Sequence, residues 1–104
     1  MSSFDEREKS FESKFIRDEE LQFKVNAKRN KYLGEWAADK LGKKDRDRTA
    51  YAQEVIKSDF AEPGDEDVFR KIQGDFKKAS ISISDSEIRK QMSTLLERAK
   101  KDFL

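Results

Sequence analysis

The 104-residue sequence contains no cysteine, no histidine, one proline and only four glycines. Without cysteine, the chain has no disulfide framework, no thiolate metal site and no cysteine nucleophile. Without histidine, it lacks the commonest general base, metal ligand and pH switch near neutrality. No apolar run approaches the roughly 20 residues of a membrane-spanning helix, and no apolar signal-peptide stretch follows Met1. We therefore expect a soluble intracellular protein without membrane insertion that is not an enzyme.

Charge is abundant and nearly balanced, with 23 basic residues, 22 acidic residues and a net charge of +1. It alternates along the sequence, with a net charge of −3 for residues 1–20, +5 for 21–48, −5 for 49–67 and +4 for 68–104. A nucleic-acid-binding domain usually has a net basic charge and a concentrated basic stripe. The alternation instead favours helices that complement each other or a partner, and it argues against nucleic acid as the ligand.

Apolar residues recur at helical spacing along most of the chain. The clearest stripe predicts a helix over about residues 85–102, with a capping box of Ser84 and Glu87 at its start. Residues 20–41 are apolar over a wide arc, which is typical of a central bundle helix. Gly34 within this segment is small enough to allow a close helix approach, and Gly42 follows it where a left-handed C-terminal cap is expected.

Two further helices are predicted over about residues 46–60 and after the acidic start Asp65-Glu66-Asp67, joined by a short link with a Pro63-Gly64 turn. Short links favour antiparallel neighbours. The sequence therefore predicts an all-α fold, a four-helix bundle over residues 20–104 with an additional N-terminal helical or mobile segment over residues 1–19. The apolar residues of its stripes are Leu21, Phe23, Val25, Ala27, Tyr32, Leu33, Trp36, Ala37, Leu41, Ala52, Val55, Ile56, Phe60, Val68, Phe69, Ile72, Phe76, Ile88, Met92, Leu95, Leu96, Ala99 and Phe103.

The first 17 residues have only a narrow apolar stripe, because Phe4, Phe11 and Phe15 lie within about 40° of arc at 100° per residue. A helix with so narrow a stripe buries little area in its own domain, and an isolated helix of this length is marginally stable in water. Two interpretations stay open. The segment is either a fifth helix, or an extension of the next one, at the bundle edge, or it is a recognition helix that inserts its Phe face into a groove of a partner. Asp18-Glu19-Glu20 fits either a hinge or the start of the next helix.

Candidate sites of chemistry are scarce. The four glycines are isolated, so no phosphate-binding loop is present. The run Asp65-Glu66-Asp67 lacks the alternating ligands of a calcium loop, and helix-start acids explain it better. Tyr32 and Trp36 lie at helical spacing, which favours core packing over base stacking. We therefore expect no catalytic residue, no metal site and no cofactor.

Several stretches of the sequence are recognisable together. They are Ser3-Phe4-Asp5-Glu6-Arg7-Glu8-Lys9, Phe11-Glu12-Ser13-Lys14-Phe15, Asp18-Glu19-Glu20-Leu21, Arg29-Asn30-Lys31, Leu33-Gly34-Glu35-Trp36-Ala37-Ala38, Tyr51-Ala52 and Glu62-Pro63-Gly64-Asp65-Glu66-Asp67-Val68. Over nearly the whole chain the sequence closely resembles the alphaproteobacterial zeta subunit, the ATPase-inhibitor subunit of the F-type ATP synthase. This family was long filed as a domain of unknown function.

The resemblance implies a four-helix bundle with a mobile N-terminal inhibitory segment. That segment would enter a catalytic alpha/beta interface of the ATP synthase head near the rotor, which makes the alpha, beta and gamma subunits the partners. It would place the protein in the cytoplasm, peripheral to the inner membrane through the enzyme. Carried over residue by residue, the implied contacts are Phe4, Asp5, Arg7, Phe11, Lys14, Phe15 and Arg17. The mitochondrial ATPase inhibitor, the functional analogue, senses pH through histidine, so a pH response here would need carboxylates with shifted pKa values.

The alternatives are a helical binding module for nucleic acid or for adenine nucleotide, with weak nucleotide binding in a bundle groove, or a purely structural helical protein. If the segment folds on binding, ordering about 17 residues costs roughly 1–2 kcal/mol each in backbone entropy. Three buried Phe side chains return roughly 1.5–3 kcal/mol each. Charge-assisted contacts would have to supply the remainder, from Arg7, Lys9, Lys14 and Arg17.

Overall fold

The computed structural model describes residues 3–60 and 64–104, with side chains from Glu6 onward outside the 61–63 gap. Within these residues the chain forms five α-helices and no β-strand. The helices are α1 (Ser3–Arg17), α2 (Glu19–Lys40), α3 (Asp45–Ser58), α4 (Glu66–Lys78) and α5 (Asp85–Lys101). The predicted all-α fold is confirmed. Of the predicted Pro63-Gly64 turn, Pro63 lies outside the described residues and Gly64 has a φ of +91°.

One hydrophobic core is shared by α2, α3, α4 and α5. The helices contact in the order expected of a bundle, because α2 packs against α3 and α5, α3 packs against α4, and α4 packs against α5. The core consists of Leu33, Ala37, Ala38, Tyr51, Val55, Val68, Phe69, Ile72, Phe76, Ile88, Met92 and Leu95. All four residues of the predicted α4 stripe are buried. No described residue of α1 belongs to this core.

Three aromatic residues that the stripes placed in the bundle are instead exposed. Phe23 is 57% exposed, Phe60 62% and Phe103 38%. Phe60 and Phe103 follow the last residues of α3 and α5, where the neighbouring helices cover them only in part. Phe23 and Phe60 stack on each other, with ring centroids 5.7 Å apart. Helical spacing predicts the face of a helix on which a residue lies. It does not predict where the neighbouring helix that would cover this face ends.

A buried polar cluster on α2 has no counterpart in the predicted core. Arg29 and Asn30 are each only 1% exposed. Arg29 Nε donates to Asn30 Oδ1 at 2.6 Å and its Nη2 lies 2.8 Å from Asp65 Oδ1, while Asn30 Nδ2 donates to Asp59 Oδ2 at 2.9 Å. Buried polar groups are tolerated when they are hydrogen-bonded in this way. The cluster therefore ties α2 to the residues just before and after the connection between α3 and α4.

The helix ends follow local capping rules. Gly42 has a φ of +77°, and α2 ends in a Schellman motif in which Lys43 N donates to Ala38 O at 2.9 Å and Gly42 N donates to Asp39 O at 3.2 Å. At the start of α5, the Ser84 side chain accepts a hydrogen bond from Glu87 N. These caps confirm the predicted end of α2 and start of α5. Among the described residues, none of the helices is both long and apolar enough to cross a membrane.

The helices α2 and α3 approach closely at Gly34. A Cβ added there would lie 2.6 Å from Ala52 Cα and 3.1 Å from Ala52 Cβ. Real Cβ atoms do not approach backbone atoms so closely, so a larger side chain would push the two helices apart. The small residue at 34 thus allows the close helix approach that the sequence predicted.

We predict that Gly34→Ala lowers the free energy of unfolding by about 1–3 kcal/mol, because the added methyl group overpacks a backbone contact that cannot relax locally. Gly74→Ala is the matched control, since a Cβ there meets nothing within 4 Å. The control should raise stability by about 0.5–1 kcal/mol through its better helix propensity. Urea unfolding followed by circular dichroism measures both. A Gly34→Ala protein as stable as the parent would contradict the close approach.

Candidate functional site

The junction between α1 and α2 is a defined break in the helix at Asp18. Asp18 has φ −104° and ψ 103°, and its carboxylate accepts a hydrogen bond from Leu21 N at 3.1 Å as the N-cap of α2. Gln22 Nε2 donates to the carbonyl oxygens of Phe15 at 2.7 Å and Ile16 at 3.1 Å, which satisfies carbonyls at the end of α1. Asp18 therefore starts α2, and α1 is a separate fifth helix rather than an extension of α2.

Two residues of the predicted Phe stripe, Phe11 and Phe15, lie beside the C-terminal end of α5. Phe11 and Phe15 are half-buried, and their rings stack with centroids 6.2 Å apart and planes at 15°. Lys100 Nζ lies 4.7 Å from the centroid of the Phe15 ring and 3.3 Å from Glu12 Oε1. The side chains of Phe4 and Asp5 lie outside the described residues.

The basic residues predicted for this site take different positions. Arg7 is exposed and lines a surface cavity of about 460 Å³ together with Phe11. Lys14 and Arg17 are exposed in the last turn of α1, where Arg17 Nε donates to Ser13 O at 3.1 Å. The structure thus brings Arg7, Phe11 and Phe15 towards one side of α1, whereas Lys14 and Arg17 are not part of the contact with α5.

Sequence reasoning missed the residues that α5 contributes. Lys100 is only 14% exposed in its side chain, although lysine in a charged run gives no signal of burial. Phe103 was assigned to the bundle stripe, but it lines the Arg7 cavity together with Leu104. The position of Phe103 just after the predicted helix could have indicated this role, because a side chain there can reach another element.

A second cavity of about 340 Å³ lies between α3 and α4, and it was the natural groove for the alternative of nucleotide binding. Its lining includes Lys43, Lys71, Tyr51 and Asp75. Lys71 Nζ already lies 3.0 Å from Asp75 Oδ2, so its charge is matched within the cavity. Burial and the hydrogen bond that Tyr51 donates to Asp75 at 2.8 Å raise the pKa of the Tyr51 phenol. No specific observation here favours a nucleotide, and within the described residues no group of three or more acidic residues could hold a metal ion.

The chain has no histidine, so a pH response would have to come from carboxyl groups. Two exposed ion pairs shift the pKa values of such groups. Arg48 donates to Asp39 at 2.8 Å and lowers the pKa of that carboxyl. The hydrogen bond from Arg89 likewise lowers the pKa of Glu66. Both shifts move titration away from neutral pH, so neither carboxyl provides a pH response near pH 7.

The family model described as ATPase inhibitor subunit zeta matches residues 1–102 of the chain. A solved structure, titled "Solution NMR structure of the protein", is 42% identical in sequence and superimposes with a TM-score of 0.72. The alignment covers 80% of this chain and 94% of that one. No curated protein gave a significant match.

We predict that stability is nearly constant between about pH 6 and 8 and falls below about pH 5, where carboxyl groups are protonated. Asp39 and Glu66 have lowered pKa values in the folded state, so their contribution is present above the unfolded-state pKa of about 4. It is lost as the pH falls through the lowered values. Urea midpoints at a series of pH values measure this.

The matched variant for this prediction is Arg48→Gln combined with Arg89→Gln, which removes both partners. It should show a shallower loss of stability in acid than the parent. If the urea midpoint of this variant fell in acid as steeply as that of the parent, these pairs would not link folding to protonation.

Proposed function

The chain belongs to the ATPase inhibitor subunit zeta family, and we propose that it blocks ATP hydrolysis by inserting α1 into a catalytic alpha/beta interface of an F-type ATP synthase, near the rotor. The family assignment makes the protein an inhibitor subunit rather than an enzyme, with the ATP synthase as its partner. The alpha, beta and gamma subunits as direct contacts are part of the proposal. So is a cytoplasmic location, peripheral to the inner membrane through the enzyme.

One observation supports the proposal most directly: α1 carries aromatic side chains that are not part of the bundle core. Phe11 and Phe15 stack on each other but remain only half-buried, and no described α1 residue belongs to the core. Ile16 is 71% exposed. An amphipathic helix with an incompletely covered apolar face suits a groove in a partner, because the groove completes the burial.

The proposed contact residues fall into an apolar and a charged set. Phe11 and Phe15 form the apolar face, with Phe4 on the same stripe of the sequence. Arg7, Lys14 and Arg17 supply basic contacts to the rim of the groove, and Asp5 adds an acidic one from the first turn. The division of the chain into an inhibitory segment over residues 1–19 and a bundle over 20–104 belongs to the same proposal.

The helical form of α1 reduces the free-energy cost of binding. Ordering a flexible segment costs about 1–2 kcal/mol per residue in backbone entropy. Since residues 3–17 are already helical, binding needs to immobilise mainly side chains and the junction at Asp18. Burying the partly exposed Phe faces and pairing the basic side chains with acidic groups of the partner can then produce net affinity.

We predict that deletion of residues 1–17 abolishes inhibition while the remaining chain stays folded, because the described core lies entirely in α2–α5. An ATP-hydrolysis assay on the cognate ATP synthase measures inhibition, and circular dichroism with urea unfolding measures folding. A truncated protein that is folded and still inhibits as strongly as the full chain would contradict the proposal.

The matched full-length variants test the Phe face itself. Phe11→Ala combined with Phe15→Ala should raise the half-inhibitory concentration by about 10- to 100-fold, since full burial of a ring contributes roughly 1.5–3 kcal/mol, about half of which remains for two half-buried rings, and each 1.4 kcal/mol corresponds to tenfold. Phe23→Ala is the control, because Phe23 is a 57% exposed aromatic residue on the bundle, outside α1. Equal losses in both variants would show that α1 has no special role.

A further inference from the structure

The apolar face of α1 is partly covered by the C-terminal end of α5. Lys100 lies in the last turn of α5, and its side chain is 14% exposed. Its ammonium group contacts Glu12 at 3.3 Å, Glu97 at 3.7 Å and the Phe15 ring at 4.7 Å. One cation thus holds both a carboxylate and an aromatic ring of α1.

This contact is loosely packed. Between the two helices lies a cavity of about 130 Å³, lined among others by Phe11, Glu12 and Lys100. The neighbouring cavity of about 460 Å³ separates Phe11 from Phe103 and Leu104. Both cavities open to solvent, so they leave apolar surface of α1 and of the chain after α5 incompletely covered. The contact therefore holds α1 weakly enough to be exchanged for another surface.

The contact with α5 and the proposed contact with the ATP synthase both involve Phe15. Phe15 cannot lie under Lys100 and also be buried in a groove of the ATP synthase, so the two contacts exclude each other. The junction at Asp18 offers a natural pivot, since it breaks the helix between Arg17 and Glu19.

We propose that the last turn of α5 and the residues after it, through Lys100, Phe103 and Leu104, form an internal docking surface for α1 that competes with the ATP synthase. We name these three residues the α5 latch. The inference rests on the proposed function, in which α1 is the inhibitory element. A closed latch removes binding-competent molecules from the population, and the apparent affinity for the enzyme falls in proportion to the open fraction.

The first test compares the full-length protein with Lys100→Gln and with Lys90→Gln. Lys90 is a matched lysine on the same helix, ten residues and about 15 Å from Lys100. Amide hydrogen exchange of α1, measured relative to α2, reports the open fraction of the latch, because an undocked helix of this length frays more readily in water. Because a partly exposed ion pair and a cation–π contact are each weak, Lys100→Gln should raise this exchange about two- to tenfold. Lys90→Gln should leave it unchanged.

The second test measures the half-inhibitory concentration of the same three proteins on the cognate ATP synthase. Lys100→Gln should lower it by the factor found for exchange, and Lys90→Gln should not change it. An unchanged or raised concentration for Lys100→Gln would overturn the latch, and so would a lower one without faster exchange of α1.

The two proposals fail in different ways. If the Phe11→Ala and Phe15→Ala protein loses inhibition while Lys100→Gln inhibits like the parent, the latch is wrong and the inhibitory role of α1 stands. If the Phe variant inhibits normally, the proposed function itself is wrong, whatever the exchange of α1 shows.

Discussion

The close approach of α2 and α3 at Gly34 and Ala52 is the constraint on which the bundle depends. With no side chain at residue 34, the two backbones come near enough for Val55 to pack beside Gly34 and for Tyr51 to join the core. The opposite side of α2 is then free to meet the remaining helices, as in the edge-to-face contact of Trp36 with Phe76 on α4. A chain that lost this approach would have to rearrange its core around a wider gap.

A second constraint acts at the end of the bundle where α3 gives way to α4. The buried guanidinium of Arg29 binds Asp65 and the amide of Asn30 binds Asp59, on either side of the connection. Such polar clusters add little net stability compared with an apolar core, but breaking one partner leaves a buried group unsatisfied. The cluster therefore acts mainly on position. It fixes the start of α4 relative to α2, while the backbone of α2 continues towards the junction with α1.

The difference in burial between α1 and the bundle helices follows from this packing. The four bundle helices bury one another's apolar faces. The aromatic residues of α1 therefore have no internal partner that buries them as fully. They find a partial one at the end of α5, through Lys100 and two loosely filled cavities. In the proposed mechanism this arrangement partly shields the binding face in the free protein and still allows its release to the enzyme.

Much of this organisation was predictable because helical periodicity and capping are local. The stripe of α4, the cap formed by Ser84 and the left-handed Gly42 each depend on residues within a few positions of one another. The family could also be identified from motifs that span most of the chain. For the candidate site, the sequence indicated the Phe stripe, but nothing in it pointed to Lys100.

The sequence by itself determined the four helices of the bundle, their apolar faces and the excess of aromatic residues near the N-terminus, since each of these is encoded in one segment. It left open whether residues 1–17 form a separate helix. Only the tertiary structure decided that Arg29 is buried, that Phe23 and Phe60 are exposed, and that Lys100 lies over Phe15. Periodicity defines the faces of a single helix, whereas burial depends on where the neighbouring helices begin, end and approach. That relation between distant segments is what the packing at Gly34 sets.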